Sequence, residues 1–142
     1  MVQISDADVK NILKNDGISF SELDGCNREV TSLSDVIKMF PEDESWSYTL
    51  VNSQSNSATL ICQLPGEGNR KHHHPDWDEW WFIIEGVWEW EIEGTKRIIN
   101  KNDIVFIGRG RKHKITAAGE DRAIRLAVSR YDVAHVYDEG DY

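Results

Sequence analysis

The segment KHHHPDWDE, residues 71–79, places three of the chain's five histidines next to a cluster of acidic side chains. In an extended strand alternate side chains point to the same face, so His72 and His74 share a face and His73 points away from it. The proline that follows is typical of a turn. Glu79 then begins the next predicted strand and can meet both histidines across the strand pair. Imidazole and carboxylate groups in this arrangement indicate a metal site.

A fourth metal donor is predicted farther along the chain, where His113 lies in the segment RGRKHKITA. Asp76 and Asp78 in the predicted turn are alternatives to Glu79 as the carboxylate ligand, and Asp78 is the better of the two. His135, near the acidic end of the chain, is predicted to lie outside the site. The predicted centre therefore combines three imidazoles and one carboxylate from separate β segments.

The donor types restrict the metal and its chemistry. No thiolate belongs to the set, which argues against a structural zinc site. Nitrogen and oxygen donors suit Mn, Fe, Ni, Zn or Cu, and we expect one divalent ion with Mn or Fe favoured. Four protein ligands on an octahedral ion leave two positions open. Because the ligands carry one negative charge, the ion keeps a net positive charge that can polarise a bound carbonyl or acidify a bound water.

The spacing of the donors resembles the first motif of the cupin family, which in one common form reads G-x5-H-x-H-x4-E-x6-G. The fixed positions of that motif are occupied here by Gly66, His72, His74, Glu79 and Gly86. All of them match, and the motif is long enough to be specific.

The second cupin motif, G-x5-P-x-G-x2-H-x3-N, is matched in part. Gly110 and His113 fit it, whereas Asn102, Gly108 and Ala117 stand where the family has Gly, Pro and Asn. Asn adopts a positive φ more readily than most residues, so Asn102 is a mild departure. Gly108 replaces a proline that would stiffen the turn before the histidine.

The resemblance covers roughly residues 46–130 and implies a small all-β, cupin-type jelly-roll barrel. It also implies a metal ion at the centre of the barrel, held by His72, His74, Glu79 and His113. The same fold hosts many reactions, so the resemblance leaves the chemistry open.

The strand pattern predicts the same fold class. From residue 46 onward, short runs rich in β-branched and aromatic residues alternate with turn residues, for example SYTLVN, SATLICQL, EWWFIIE and VWEWEIE. Short, evenly spaced strands are typical of an all-β sandwich or barrel. We therefore predict a barrel over residues 46–130, an N-terminal helical and extended segment over residues 1–45 that packs on the barrel, and an acidic C-terminal tail over residues 131–142.

Within the N-terminal segment, Ser5 is the predicted N-cap of a first helix, with Asp8 three residues later, and Gly17 is its predicted end. A second helical turn is predicted over residues 33–40, where a proline follows.

Two arginines are predicted to bind substrate. Arg70 and Arg111 each precede a predicted ligand by two residues and so share its face; Arg109 has the same parity. A guanidinium near a metal is suited to a carboxylate or phosphate. The alternative is that RGRK is a solvated, basic hairpin end. Trp81, two residues after Glu79, is predicted to form an aromatic pocket wall that stacks on a planar substrate.

Composition excludes several classes of protein. The net charge of −9 argues against nucleic-acid binding. No apolar run is long enough to span a membrane, and the N-terminus lacks the features of a signal peptide. Two cysteines make no disulfide framework, so we expect a cytoplasmic protein. The strand that begins at Glu79 has a second apolar face, formed by Trp80, Phe82 and Ile84. This outer face must be covered, and we expect a second subunit to cover it in a homodimer.

Three functions fit these features. The favoured one is a dioxygenase-like metalloenzyme that acts on a small anionic metabolite, with an aromatic acid as one option. The second is an isomerase, lyase or decarboxylase in which the metal is a Lewis acid and Tyr48 or Glu67 is a candidate base. The third is a module that binds a small anion without turnover.

Overall fold

The computed structural model describes residues 3–20 and 24–142, so residues 1, 2 and 21–23 of the predicted N-terminal segment lie outside it. Within these ranges the chain forms ten strands and two short helices. In chain order they are β1 (Gln3–Asp6), α1 (Val9–Asn15), α2 (Leu33–Lys38), β2 (Trp46–Asn52), β3 (Ser57–Gln63), β4 (Glu79–Glu85), β5 (Val87–Ile92), β6 (Thr95–Asn100), β7 (Ile104–Ile107), β8 (His113–Ala117), β9 (Ala123–Ser129) and β10 (His135–Asp138).

Two antiparallel sheets enclose the main core. One has the order β2-β3-β9-β4-β7 and the other the order β6-β5-β8. Side chains from both sheets meet between them, including Trp81 and Ile83 of β4, Trp88 and Trp90 of β5, and Ile115 of β8. Alternation along each strand supplies this inner face. The prediction of an all-β jelly roll is confirmed, and the described sheets pack as a sandwich that does not close into a barrel.

The N-terminal segment covers the outer face of the five-stranded sheet. Val36 of α2 and Phe40 just after it pack on Trp46 and Leu60. The rings of Phe40 and Trp46 are stacked, with centroids 4.3 Å apart. This second core explains why β3 is apolar on both faces.

The first helix packs on the inner face of the same sheet. Leu13 of α1 packs with Ile61 of β3. The prediction of Ser5 as N-cap is wrong: Ser5 lies in β1, and the Asp8 side chain accepts a hydrogen bond from the Asn11 amide. Asp8 caps better because a carboxylate also complements the positive end of the helix.

The helix ends where the sequence predicts. Gly17 follows α1 with a φ of 99°, a conformation that glycine adopts without strain. The cupin-motif position Asn102 also has a positive φ, of 74°, in agreement with its interpretation as a mild substitution for glycine.

The two ends of the chain pair with each other. Strand β1 is antiparallel to β10, with Gln3 opposite Asp138 and Asp6 opposite His135. Residues 131–142, predicted as an acidic tail, therefore contain a strand, and Val133 and Tyr137 are fully buried there. Burial of these alternating apolar residues stabilises the strand although the segment is rich in acidic side chains.

In the described part of the chain, no helix has the length and apolar character needed to cross a bilayer.

Candidate metal centre

Three strand segments bring the histidines together. The extended stretch around His72 forms a bridge to β8, with reciprocal backbone hydrogen bonds between His72 and His113 of 3.1 and 2.8 Å. On its other side, His73 forms the same kind of bridge to Val136 of β10. Alternation then places His72, His74 and the C-terminal His135 on one side, and His73 points away as predicted.

The four imidazoles form one cluster. Ring centroids of His72 lie 4.8 Å from His74, 4.4 Å from His113 and 4.7 Å from His135. His74 lies 5.0 Å from His113 and 4.6 Å from His135. Glu79 at the start of β4 completes the cluster, with Oε2 2.6 Å from His74 Nε2. The structure thus brings together all four predicted ligands and adds His135.

Every imidazole of the cluster is oriented by a backbone carbonyl. The Nδ1 atoms contact the carbonyl oxygens of Arg70 (from His72, 2.7 Å), Ala134 (from His74, 2.9 Å), Arg111 (from His113, 2.8 Å) and Val133 (from His135, 3.0 Å). A carbonyl only accepts hydrogen bonds, so Nδ1 carries a proton, and in a neutral ring Nε2 keeps its lone pair. Metal-binding histidines are held in this way.

Two of the Nε2 atoms lack an ordinary hydrogen-bond partner. That of His113 is buried and has none among the described residues, and that of His74 is buried with only the Glu79 carboxylate beside it, at 2.6 Å. Buried polar atoms seldom remain unpaired. A cation at the centre of the cluster would satisfy both, so the residues present fit a metal ion.

Burial keeps most of the imidazoles neutral. It lowers the pKa of His113 to about 4, with a further contribution from His74, and it lowers the pKa of His72 well below the ordinary value. Burial also acts on Glu79, but the charge of His74 outweighs it and lowers the pKa of this carboxyl group to about 2. The reverse holds for His74, whose pKa is raised by Glu79 in spite of burial. The cluster therefore offers the neutral imidazoles of His72, His113 and His135 and an ionised carboxylate, and a bound cation would take the place of the proton that His74 shares with Glu79.

The ligand atoms fall into two overlapping groups. Those of His74, Glu79 and His113 lie within 4.8 Å of one another, and so do those of His72, His74 and His135. His74 belongs to both groups and can offer a metal ion only its Nε2, because its Nδ1 is bound to the Ala134 carbonyl. One imidazole nitrogen serves one ion, so the cluster suits a single ion.

Comparison with known proteins identifies the family. The sequence profile described as "Cupin domain" matches residues 59–129, which is half of the chain. The chain belongs to the cupin family. This confirms the resemblance that the motifs of this cupin indicate.

Individual relatives are more distant. The cupin is 31% identical over 94 residues to the tetracenomycin polyketide synthase protein TcmJ of Streptomyces glaucescens, and the match spans 63% of each chain. A solved protein with a double-stranded β-helix domain from Klebsiella pneumoniae has 18% identity and a TM-score of 0.65, over 78% of this chain and 96% of that one. A predicted oxalate decarboxylase from Thermotoga maritima has 22% identity and a TM-score of 0.58, over 61% and 80%. At such identities, the structural matches support the fold alone.

A small cavity of about 60 Å³ adjoins the metal centre of the cupin. Its walls come from the inner face of β3 and β9, from the metal centre and from α1. They include Ile12, Leu13, Asp16, Thr59, Ile61, Asn69, His72, Glu79, Trp81, Arg125, Ala127 and His135. Trp81 is therefore at the cavity, as predicted, and its Nε1 donates a hydrogen bond of 2.5 Å to Glu79.

The two arginines predicted to bind substrate lie elsewhere. The guanidinium of Arg70 forms an ion pair with Asp16, at 2.5 Å, and lies over the ring of Tyr137. Arg111 is exposed and contributes its carbonyl to His113. Arg109 is also exposed and pairs with Asp78. The parity argument fails here because the stretches before His72 and His113 are not regular strands.

The other candidate side chains are engaged outside the cavity. Asp78 accepts a hydrogen bond from the Arg109 amide, and Asp76 pairs with Arg130, so neither replaces Glu79 in the cluster. Tyr48 is buried in the core under the N-terminal segment, and the Glu67 carboxylate accepts from the Leu64 amide. Neither Tyr48 nor Glu67 lines the cavity beside the metal centre.

Three residues at the site were missed from the sequence. Arg125 is 2% exposed although it is charged. It is the one charged residue in the apolar run AIRLAVS, and this pattern could have predicted a buried arginine. His135 alternates with the apolar residues Val133 and Tyr137, which was a weaker signal. Asp16 at the end of α1 carried none, because its burial depends on how the helix packs.

Proposed function

We propose that this cupin is a metal-dependent enzyme that acts on a small anionic metabolite at one divalent ion, with Mn or Fe favoured. We assign the ion to His72, His74, Glu79 and His113. The shared orientation of the imidazoles carries the proposal. Each Nδ1 is bound to a backbone carbonyl, which leaves the Nε2 lone pairs for a cation.

When bound, the ion would supply Lewis-acid polarisation of a substrate oxygen and, if it is Fe or Mn, redox chemistry. The protein's own contribution is to hold the site. Trp81 fixes Glu79 through its indole N–H, and Leu13 and Ile12 of α1 form an apolar part of the cavity wall. Walls that exclude water strengthen the electrostatic interactions inside a site.

We assign the substrate anion to Arg125 instead of Arg70 or Arg111. The guanidinium of Arg125 lines the cavity and lies over the rings of Trp81 and Trp88, 5.1 and 4.6 Å from their centroids. Its side chain has one hydrogen-bond partner among the described residues, Gln63, and Nε has none. A carboxylate is the group that such a guanidinium binds with two parallel hydrogen bonds.

The size of the cavity limits the ligand. At about 60 Å³ it is less than half the volume of roughly 150 Å³ that holds benzene in an engineered cavity. A carboxylate group fits in that space. An aromatic acid would require α1 to move away from the sheet. Compact acids are therefore the first substrates to test, and oxalate is one of them, since a structural relative is described as a predicted oxalate decarboxylase.

We favour oxidation of the dioxygenase type, for which the thiolate-free donor set is suited. One observation favours a second candidate, a non-redox proton transfer. Asp16 lines the cavity, and burial raises the pKa of its carboxyl group although the neighbouring Arg70 opposes the shift. A carboxyl group with a raised pKa is suited to exchange protons with a bound substrate.

Metal analysis and a substrate screen test the proposal. Protein purified without added metal is analysed for bound ions, and then incubated with small carboxylic acids in the presence and absence of oxygen. Oxygen uptake supports the dioxygenase, product formation without oxygen supports proton transfer, and stabilisation without product supports a binding module. Glu79→Gln should abolish turnover and His73→Gln should preserve it. Turnover that survives in Glu79→Gln would contradict a metal-dependent reaction.

A further inference from the structure

We infer that His135, supplied by the C-terminal strand β10, is a fifth protein ligand of the same ion. The inference rests on the proposed metal centre and extends it beyond the two cupin motifs, which contain His72, His74, Glu79 and His113 only. It also assigns a function to the pairing of the two chain ends.

Distance supports this assignment. The ring of His135 lies 4.7 Å from His72 and 4.6 Å from His74. The ring of His113, a motif ligand, lies 4.4 and 5.0 Å from the same two rings. His135 is therefore as close to the pair as His113 is. The ligand atoms of His72, His74 and His135 all lie within 4.8 Å of one another.

The orientation of the ring agrees with the distance. Nδ1 of His135 contacts the carbonyl oxygen of Val133, two residues earlier, at 3.0 Å. His72 and His113 use the same arrangement with the residues two before them. Nε2 of His135 consequently keeps its lone pair, and the ring lines the cavity beside His72 and Glu79.

The surrounding backbone ties this strand to the centre. The carbonyl of Ala134 accepts the Nδ1 hydrogen bond of His74, so the residue before His135 already orients another ligand. Val136, on the other side, exchanges two backbone hydrogen bonds with His73, of 3.1 and 2.9 Å. Residues 134–136 thus hold the centre by one imidazole and three hydrogen bonds.

A fifth ligand changes what the ion can bind. Five protein donors leave one position open on an octahedral ion, where the motif residues alone would leave two. A substrate that chelates through two oxygens would have to displace an imidazole, and His135 is the one on a terminal strand. Binding of the ion should also order β10 and its partner β1.

The test compares His135→Gln with His73→Gln, a neighbouring histidine on the opposite face, as control. We expect pulsed EPR of the Cu²⁺-loaded wild type to report four coordinated imidazoles, with three in His135→Gln and four in His73→Gln. Chelator competition should give an affinity at least about tenfold weaker for His135→Gln, as loss of even an outer-shell partner of a metal ligand costs that much. Equal affinity and an unchanged imidazole count would overturn the inference.

A second measurement needs no variant. Hydrogen exchange of the wild type should slow at the amides of β10 when Mn²⁺ is added, and unchanged exchange there would contradict the role of His135. A wild type that binds no metal would refute the proposed metal centre as well. If the wild type binds metal and His135→Gln binds it equally well, only the assignment of His135 as fifth ligand is refuted.

Discussion

At the scale of single residues, the site depends on three buried imidazoles, of His72, His113 and His135, that stay neutral. Their Nδ1 protons are bound to backbone carbonyls, and burial disfavours a second proton on Nε2. A neutral, buried Nε2 is ready to bind a cation. For the same reason, the imidazoles lower the stability of the metal-free protein at low pH.

We predict that the metal-free protein loses stability as the pH falls from 7 to 5. The pKa values of His113 and His135 are lowered to about 4, and that of His72 is lowered as well, so the unfolded chain takes up more protons below pH 6.5. Only His74 in the cluster is shifted the other way. For His113 the full shift corresponds to about 3 kcal/mol once the pH is below 4.

Urea unfolding at pH 7, 6 and 5 measures this loss. The protein carries a net charge of −9, and its self-repulsion also weakens as the pH falls. The series is therefore run in about 1 M salt, where exposed charges are screened. A free energy of unfolding that is constant or rises toward pH 5 would show that the imidazoles are not held neutral.

Arg125 gives the second prediction at this scale. Arg125→Gln should weaken the binding of oxalate to the metal-loaded protein by about 10- to 100-fold, since a hydrogen bond to a charged group contributes about 1.5–3 kcal/mol. Arg111→Gln, which removes an exposed arginine outside the cavity, should change it less than about twofold. Calorimetric titration of both variants makes the comparison, and a larger effect at Arg111 would restore the assignment made from the sequence.

At the scale of elements, the strands were predictable and their partners were not. The strands between Trp46 and Ser129 could be predicted from short runs of β-branched and aromatic residues. The alternation of buried and exposed side chains along a strand is visible in the local sequence. The pairing of β1 with β10 joins residues 129 to 135 positions apart, and no local signal specifies it. The four motif ligands came from spacing, whereas Arg125, Asp16 and His135 depend on how α1 and β10 pack.

The capping of α1 tests one of these corrections. Asp8→Ala should lower the free energy of unfolding by about 1 kcal/mol, the usual cost of losing a side-chain N-cap. Ser5→Ala, at the position expected to be the cap, should cost clearly less because Ser5 lies in β1 and its side chain is exposed. Chemical denaturation of the two variants measures the difference. Equal losses, or a greater loss in Ser5→Ala, would contradict the observed helix start.

At the scale of the whole molecule, one edge of the larger sheet is open. Strand β2 at the first edge is bonded by the N-terminal segment, for example through Asn27 to Leu50. Strand β7 forms the other edge and exposes Phe106 and Ile104, at 64% and 68%, next to Trp80. Edges of this kind invite pairing with another chain.

We propose that a second copy of the cupin covers this edge, as the two-sided apolar pattern of β4 led us to expect. Phe106→Asp should then convert a dimer into a monomer in light scattering after gel filtration. Val30→Asp, which changes an exposed apolar residue elsewhere at 87% exposure, should leave the dimer intact. A wild type that is monomeric at all concentrations would refute the homodimer.

The most direct test of the metal centre is the metal stoichiometry of two matched histidine variants. His74 belongs to both ligand groups, whereas the adjacent His73 belongs to neither. We predict about one equivalent of Mn²⁺ bound by the wild type and by His73→Gln, and loss of tight binding in His74→Gln, by equilibrium dialysis with elemental analysis. Equal metal content in the two variants, or none in the wild type, would contradict a single ion held by this histidine cluster.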